Sequence, residues 1–361
     1  MSSNLVISGW IRRAEKLLTN GKLKGADALF SDALKKDKKN VTALRGRANV
    51  AKALGSNEVA KKFFQLANKQ ESENYCVEAD KACEDASFQH AIECYKNSLN
   101  FVDDNLDAIW GLAECFASIG EKRNAARWYS RYLELEPNEP EALHMLSAMG
   151  SIQTPTRASE GYITTLFDRF APDFDELLSG ELDYRVPKIL VANIEVYLQG
   201  RNMDIEILDL GCGTGLSGVA FKKFARRIDG VDLSGEMLKK ADEKSIYNTL
   251  SKSDIISHLG STGRSYNLVL GADVFVYFGV LEDLFFGIIK ILKKGGFMVF
   301  SLESREGKDF ELRPSGRYAH GRPYVREIAE NAGFIECSVK KETLRLECGE
   351  PVVGDIWVFK T

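Results

Sequence analysis

Proline is scarce in this chain and missing from its first third. Eight prolines occur in 361 residues, and none precedes Pro137, so nothing in that stretch has to break a helix. Long apolar runs are lacking too. None approaches the roughly 20 residues that a membrane helix needs, and the start, Met1 to Ile7, is too short and too polar to read as a signal peptide. Charge of one sign is not in excess: 48 Lys/Arg against 52 Asp/Glu leave −4, which disfavours a general nucleic-acid binder. The seven cysteines are odd in number, dispersed and without a CxxC pair. They read as reduced thiols in the cytoplasm, with neither a disulfide frame nor a metal site expected. A hydrophobic fraction of 44% and a charged fraction of 28% suit a globular protein. At about 150 residues per domain, the length favours two.

What is there is a repeat. Trp10, Ala14, Leu17, Gly21, Ala26, Phe30 and Ala33 reappear 34 residues on as Leu44, Ala48, Ala51, Gly55, Ala60, Phe64 and Ala67. A third series, Tyr75, Ala79, Ala82, Ala86, Ala91, Tyr95 and Ser98, follows at a step of 31, which implies one shortened turn. The fourth is Ile109, Ala113, Phe116, Gly120, Ala125, Tyr129 and Tyr132, with Pro137 after it. Small residues suit close helix crossings, and Gly21, Gly55 and Gly120 suit left-handed helix ends. The spacing predicts helix–turn–helix units stacked as a solenoid, with an irregular helical bundle as the competing reading. It resembles the tetratricopeptide repeat over residues 7–138, Trp10 and Pro137 matching that motif's tryptophan and proline. A first domain over 1–150 is expected, about four repeats plus a closing helix from Glu139 to Met149. Its charge is split. Residues 1–70 hold 15 basic and 5 acidic side chains, and residues 71–150 hold 6 and 16. Such a surface would hold a protein substrate or partner, or dock a second copy head to tail; the plain alternative is an uneven solvated face.

After a linker at 150–157 the rhythm changes. Beta-rich runs alternate with helical ones, predicting a parallel sheet flanked by helices over 151–361. The run Ile205–Leu210 leads into Gly211-Cys212-Gly213-Thr214-Gly215 and a helix. Gly213 to Gly218 spells GxGxxG, and Asp232 lies where a dinucleotide's ribose-binding acid would sit. Three features oppose a dinucleotide. Asp209, at the strand end, would repel a pyrophosphate and suits a cationic ligand. Asp254, after the third strand, can accept from an adenine amino group. Two final extended runs suit a hairpin that closes the sheet.

Together these residues resemble the class I S-adenosylmethionine-dependent methyltransferases. The order of the two domains is similar to bacterial methyltransferases that carry tetratricopeptide repeats. The stretches Tyr162…Asp168…Asp175…Tyr184-Arg185…Pro187 and Leu312–His320 carry that finer likeness. The resemblance implies a Rossmann-like α/β domain, a seven-stranded mixed sheet with a reversed last strand, and S-adenosylmethionine as cofactor. It implies roles as well. Asp209 and Gly211 face the methionine end, Gly213 and Gly215 allow close approach, and Asp232 takes the ribose. Leu233 and Met237 flank the adenine, and Asp254 and Ile255 meet its edge. Tyr184, Arg185 and Ala272 complete the cofactor set. For catalysis the candidates are Asp273 and Tyr277, after the fourth strand, and His320 as a general base. Each has a plain structural alternative as a cap, a wall or a core residue. Arg317 and Arg322 are candidate anion binders, and Tyr162, Phe167, Phe170 and Phe174 a candidate lid. No Asn-Pro-Pro-Tyr or Pro-Cys motif occurs, against amide or adenine amino methylation and against cytosine C5 chemistry. The expected function is methyl transfer with the repeats docking a protein. The alternatives are a small-molecule methyltransferase whose repeats serve assembly, and a cofactor-binding scaffold.

Overall fold

The structure is a computed structural model that describes residues 3–179, 184–200, 204–347 and 349–361. The chain divides into two compact units, Met1–Pro137 and Asn138–Thr361.

The first unit is helical: α1 (Ser3–Thr19), α2 (Leu23–Lys36), α3 (Val41–Ala53), α4 (Asn57–Glu84), α5 (Phe88–Phe101), α6 (Leu106–Ser118) and α7 (Lys122–Leu135). Gly21, Gly55 and Gly120 have φ of 69°, 75° and 80°, as the turns require. At the corresponding turn before α5 the chain uses Ala86, at φ 53°. Packing repeats with the sequence. The Phe30 ring lies where a Cβ on Gly46 would be 2.3 Å from it, and Tyr95 stands 2.2 Å from the same point on Gly111. Asn40 caps α3 by accepting from the Ala43 N–H, and Asn105 caps α6 through Asp107 and Ala108.

The short step to the third series has a different outcome from the one expected. No turn separates the second and third units. The stretch from Leu66 to Tyr75 holds neither Gly nor Pro, and α4 runs through it unbroken. With three residues fewer there is no reversal, and two expected helices fuse into one. The even row of four hairpins is broken at that point.

The second unit begins earlier than the linker expected near residue 150. Helix α8 (Pro140–Ala148), expected to close the repeats, belongs to this unit. Its His144 stacks on Tyr162 at 4.2 Å and bonds the Gly316 carbonyl at 2.8 Å. Its Glu141 is held by Arg169 at 2.9 and 3.2 Å. Then come α9 (Glu160–Phe170), α10 (Phe174–Ser179) and α11 (Val186–Ile194). The alternating part is β1 (Ile205–Leu210), α12 (Leu216–Phe221), β2 (Ala225–Asp232), α13 (Gly235–Glu243), β3 (Thr249–Lys252), α14 (Ile255–Ser261), β4 (Tyr266–Gly271), α15 (Glu282–Ile291) and β5 (Leu292–Arg305). The chain ends with β6 (Phe310–Leu312), β7 (Tyr318–Gly321), α16 (Arg322–Ala332), β8 (Ile335–Glu347) and β9 (Glu350–Lys360).

Strands β3-β2-β1-β4-β5 are parallel neighbours. β9 runs antiparallel to β5 and to β8. These seven make the expected mixed sheet with its reversed last strand. Among the described residues, however, the sheet has nine. β4 ends opposite Phe300 while β5 runs on to Arg305, and β7 pairs with that remaining edge at Glu303–Arg305, with β6 beyond it. Alternation buries both faces. Met298, Phe300, Trp357 and Phe359 join one core, and Val299, Ile356 and Val358 the other.

Two substitutions test the first unit. Gly46→Ala should destabilise it by about 1–3 kcal/mol, because Phe30 cannot move without a void. Ala86→Gly should stabilise it by about 1 kcal/mol by relieving left-handed strain. Urea unfolding of the full chain, followed by helical circular dichroism, reads both. The opposite order of stabilities contradicts the packing described.

Candidate active site

Strand β1 delivers Asp209 and the glycine loop to the end of the parallel sheet, and β2 delivers Asp232 beside them. Gly213 has φ 52° and nothing within 4 Å of where a Cβ would lie. Its N–H donates to Asp232 Oδ2 at 2.8 Å, and the Ser234 N–H donates to Oδ1 at 2.8 Å. The Leu233 N–H bonds the carboxylate as well. Of its four lone-pair sites three are thus taken by backbone, and acceptor capacity remains for a ribose hydroxyl. Burial raises the Asp232 pKa, opposed by the backbone N–H groups.

Asp209 is 1% exposed. Its Oδ2 accepts from the Tyr247 hydroxyl at 2.7 Å, and its Oδ1 has no partner. Burial pushes its carboxyl up to about 7. A buried acceptor without a donor costs stability, and a ligand ammonium or hydroxyl would satisfy it. Tyr247 was not anticipated from the sequence. Its ring fills the space that Gly218 and Gly230 leave: Cβ atoms there would come within 2.6 and 3.0 Å of it. Gly218, in α12, and Gly230, in β2, therefore make room for a tyrosine. A tyrosine between a helix and a strand carries no motif that announces this.

The other expected cofactor residues divide. Tyr184 lies among Asp209, Asp273, Tyr277 and Arg345, and burial lifts its pKa. Ala272 and Leu233 are half-buried, and Arg185 is exposed. Met237 is fully buried, and Ile255 is 6% exposed in the core with Leu208 and Val231. Asp254 is the cap of α14. Its Oδ1 accepts from the N–H and hydroxyl of Ser257 at 3.0 and 3.2 Å, and its Oδ2 from Arg157 at 2.7 Å. The adenine contact expected of it has to share those oxygens.

Of the three catalytic candidates, two come together. Asp273, at φ 52°, exchanges bonds with Ser301: its N–H donates to Oγ, and Oγ–H donates to its Oδ1, both at 2.8 Å. Its Oδ2 accepts from Arg345 at 3.3 Å. Arg345, 4% exposed, also donates to Glu303 and to Glu347 at 2.8 Å. Arg313 meets Glu303 at 3.0 Å, and Arg317 meets Glu347 and stands beside Tyr277. Three arginines thus balance three acids, and Asp273 is held in place by the set.

His320 is a correction. It is 1% exposed, stacked on Tyr324, and its Nε2 is bound to the Gly279 carbonyl at 3.1 Å. Burial lowers its pKa to about 4, so it is a weak base shut inside the core, where no acceptor can reach it. Arg322 is corrected likewise: it is bidentate on Asp355, at 2.6 and 3.1 Å, and not a free anion receptor.

The aromatic segment before the sheet reaches the site through Asp168 and Asp175, two acids that the sequence likeness named without giving them a role. Asp168 of α9 accepts from the Ser234 hydroxyl, and Asp175 of α10 from the Thr214 hydroxyl and from Lys244 at 2.7 Å. Phe167 packs edge-on to Tyr277, with centroids 5.6 Å apart. Tyr162 is buried against His144, and Phe170 is exposed. The cover is therefore held by carboxylates at the two motifs, not by an aromatic stripe alone.

Residues 207–296 match the family model described as a methyltransferase domain. Among curated relatives, human methyltransferase-like protein 27 is 36% identical over 24% of this chain and 35% of its own length. The protein YqeM of Bacillus subtilis (strain 168) is 28% identical over 48% of this chain and 70% of its own. This chain thus spans about a third of the first relative. Among solved structures, magnesium protoporphyrin IX methyltransferase from Synechocystis PCC 6803, with bound SAH, aligns over 55% of this chain and 98% of its own at 17% identity and a TM-score of 0.42. No described helix is long and apolar enough to cross a membrane.

The state of Asp209 sets a pH dependence. Its folded pKa lies above its ordinary 3.8, so between about pH 4 and 7 the folded form holds a proton that the unfolded form has lost. Stability of the second unit should fall by roughly 4 kcal/mol as pH rises across that window and level off above it. Asp209→Asn should flatten the slope. Urea midpoints against pH measure this, and an unchanged slope in the variant contradicts the assignment.

Proposed function

We propose that the second unit, which carries a methyltransferase domain, transfers the methyl group of S-adenosylmethionine to an acceptor, and that the first unit docks a protein substrate or partner. One observation carries the cofactor part of this reading: an open glycine loop lies beside a carboxylate oriented by backbone N–H groups, with acceptor capacity to spare, and near a buried carboxylate with an unpartnered oxygen. Asp232 would hold a ribose hydroxyl. Asp209 Oδ1 would meet the methionine ammonium, whose charge would also draw the Asp209 carboxyl back towards ionisation. Gly213 leaves room for close approach. A pyrophosphate would instead meet a buried acid.

The cofactor supplies an electrophilic methyl on a sulfonium; the chain's task is alignment and exclusion of water. Asp273 is fixed by Ser301 and Arg345, so it can orient a donor on the acceptor without changing place. Tyr277 is held between Phe167 and Arg317, and with Tyr184 it forms the wall that the acceptor meets. The bonds from Asp168 and Asp175 keep α9 and α10 over the loop, and their release would admit the cofactor.

For the first unit the support is its charge. A surplus of ten basic side chains in residues 1–70 suits an acidic protein surface or the acidic half of another copy. Its helical repeat, assigned to the tetratricopeptide type on sequence spacing, would present a binding surface.

Asp232→Ala should weaken binding of S-adenosylmethionine by about 2–3 kcal/mol through the lost hydrogen bond to a charged group. Equilibrium dialysis measures it, and unchanged affinity would show that the ribose is not there. For the acceptor, radiolabelled methyl transfer to fractionated lysate should label protein. Label confined to metabolites, or equal labelling by a chain lacking residues 1–137, contradicts the docking role.

A further inference from the structure

The cysteines look dispersed in sequence, yet the fold brings one of them into a mixed donor set. His90 and Cys94 lie one turn apart on α5, so their side chains share a face. Glu78 faces them from α4. His90 Nε2 is 3.3 Å from Glu78 Oε1 and 3.7 Å from Cys94 Sγ, and one donor atom from each residue lies within 4.8 Å of the others. Zinc bonds of about 2.0–2.2 Å to N and O and 2.3 Å to S give tetrahedral edges of about 3.3–3.6 Å. The two nearest separations already approach those edges. Glu78 and His90 side chains are each 55% exposed, so both can turn to close the third edge, while Cys94 is 3% exposed and provides a fixed anchor.

We propose that Glu78, His90 and Cys94 bind a zinc ion that clamps α4 to α5. One thiolate, one imidazole and one carboxylate form a donor set for zinc rather than for magnesium or calcium, which take oxygen ligands. Three protein ligands leave a fourth position, and it opens to solvent on the side of Glu78 and His90. A water fills it, or a donor from a bound partner.

The position gives the clamp a purpose. Glu78 and His90 flank the turn that contains Ala86, where glycine stands in the other three hairpins. That turn holds a non-glycine residue in the left-handed region, at some cost, and it follows the fused helix where the regular hairpin pattern is lost. A metal bridging its two helices would offset the strain. An ion pair between His90 and Glu78, with the Cys94 thiol hydrogen-bonded to both, would account for the same contacts without a metal. The thiol is therefore what an experiment must read.

The full chain, treated with chelator and shown by circular dichroism to remain folded, is titrated with Co(II) and then with Zn(II). The expected results are a thiolate-to-cobalt absorption band in the near ultraviolet, one equivalent bound, its displacement by zinc, and a thermal midpoint raised by zinc. Cys94→Ser should abolish the band. His90→Ala and Glu78→Gln should each weaken zinc binding at least about tenfold. Cys83→Ser, which changes a nearby thiol outside the set, should bind as the parent does. No thiolate band, or zinc affinity unchanged in both Cys94→Ser and His90→Ala, overturns the proposal. So does loss of binding in Cys83→Ser alone.

Discussion

The carboxylate of Asp232 is the point on which the second unit's site depends. One oxygen takes the Gly213 N–H and the other the Ser234 N–H, so a single side chain fixes both the glycine loop after β1 and the entry to α13 after β2. Ser234 in turn donates to Asp168, which ties α9 to the same place. The parallel pairing of β1 with β2 makes this meeting unavoidable, because both strands end on the same side of the sheet. Whatever occupies the loop then meets an acceptor that is already oriented.

The first unit follows a simpler constraint, the size of its side chains at crossings. A phenyl or phenol ring sits against a glycine in two places, Phe30 on Gly46 and Tyr95 on Gly111. Asparagines in matching positions cap the helices that carry those glycines. The units on either side of α4 are built alike, and α4 joins them without a turn. Periodicity made the helices and their glycine turns legible. The fusion was less so, because the shortened step left open whether a turn contracts or vanishes; only the lack of Gly or Pro between Leu66 and Tyr75 bore on it.

In the second unit, the alternation of strands and helices and the reversed last strand were legible, and so were Asp209, Gly213 and Asp232. Each of these three residues sits at a strand end or in a tight loop, where local chemistry dictates the residue. What escaped were partners distant in sequence. Tyr247 on Asp209, Arg157 on Asp254, Asp175 on Thr214 and the Arg345 set around Asp273 arise from packing between elements. His320 misled because a histidine among arginines and tyrosines looks reactive until its burial is known. The β6–β7 pair exists because β4 stops before β5 does, and relative strand length is a tertiary property.

The central claim is that the loop beside Asp209 and Asp232 receives a cationic nucleoside, not a dinucleotide. Isothermal titration of the full chain with S-adenosylmethionine and with NAD tests it most directly. The account predicts saturable one-to-one binding of S-adenosylmethionine and none of NAD at the same concentrations. Tighter binding of NAD would contradict it.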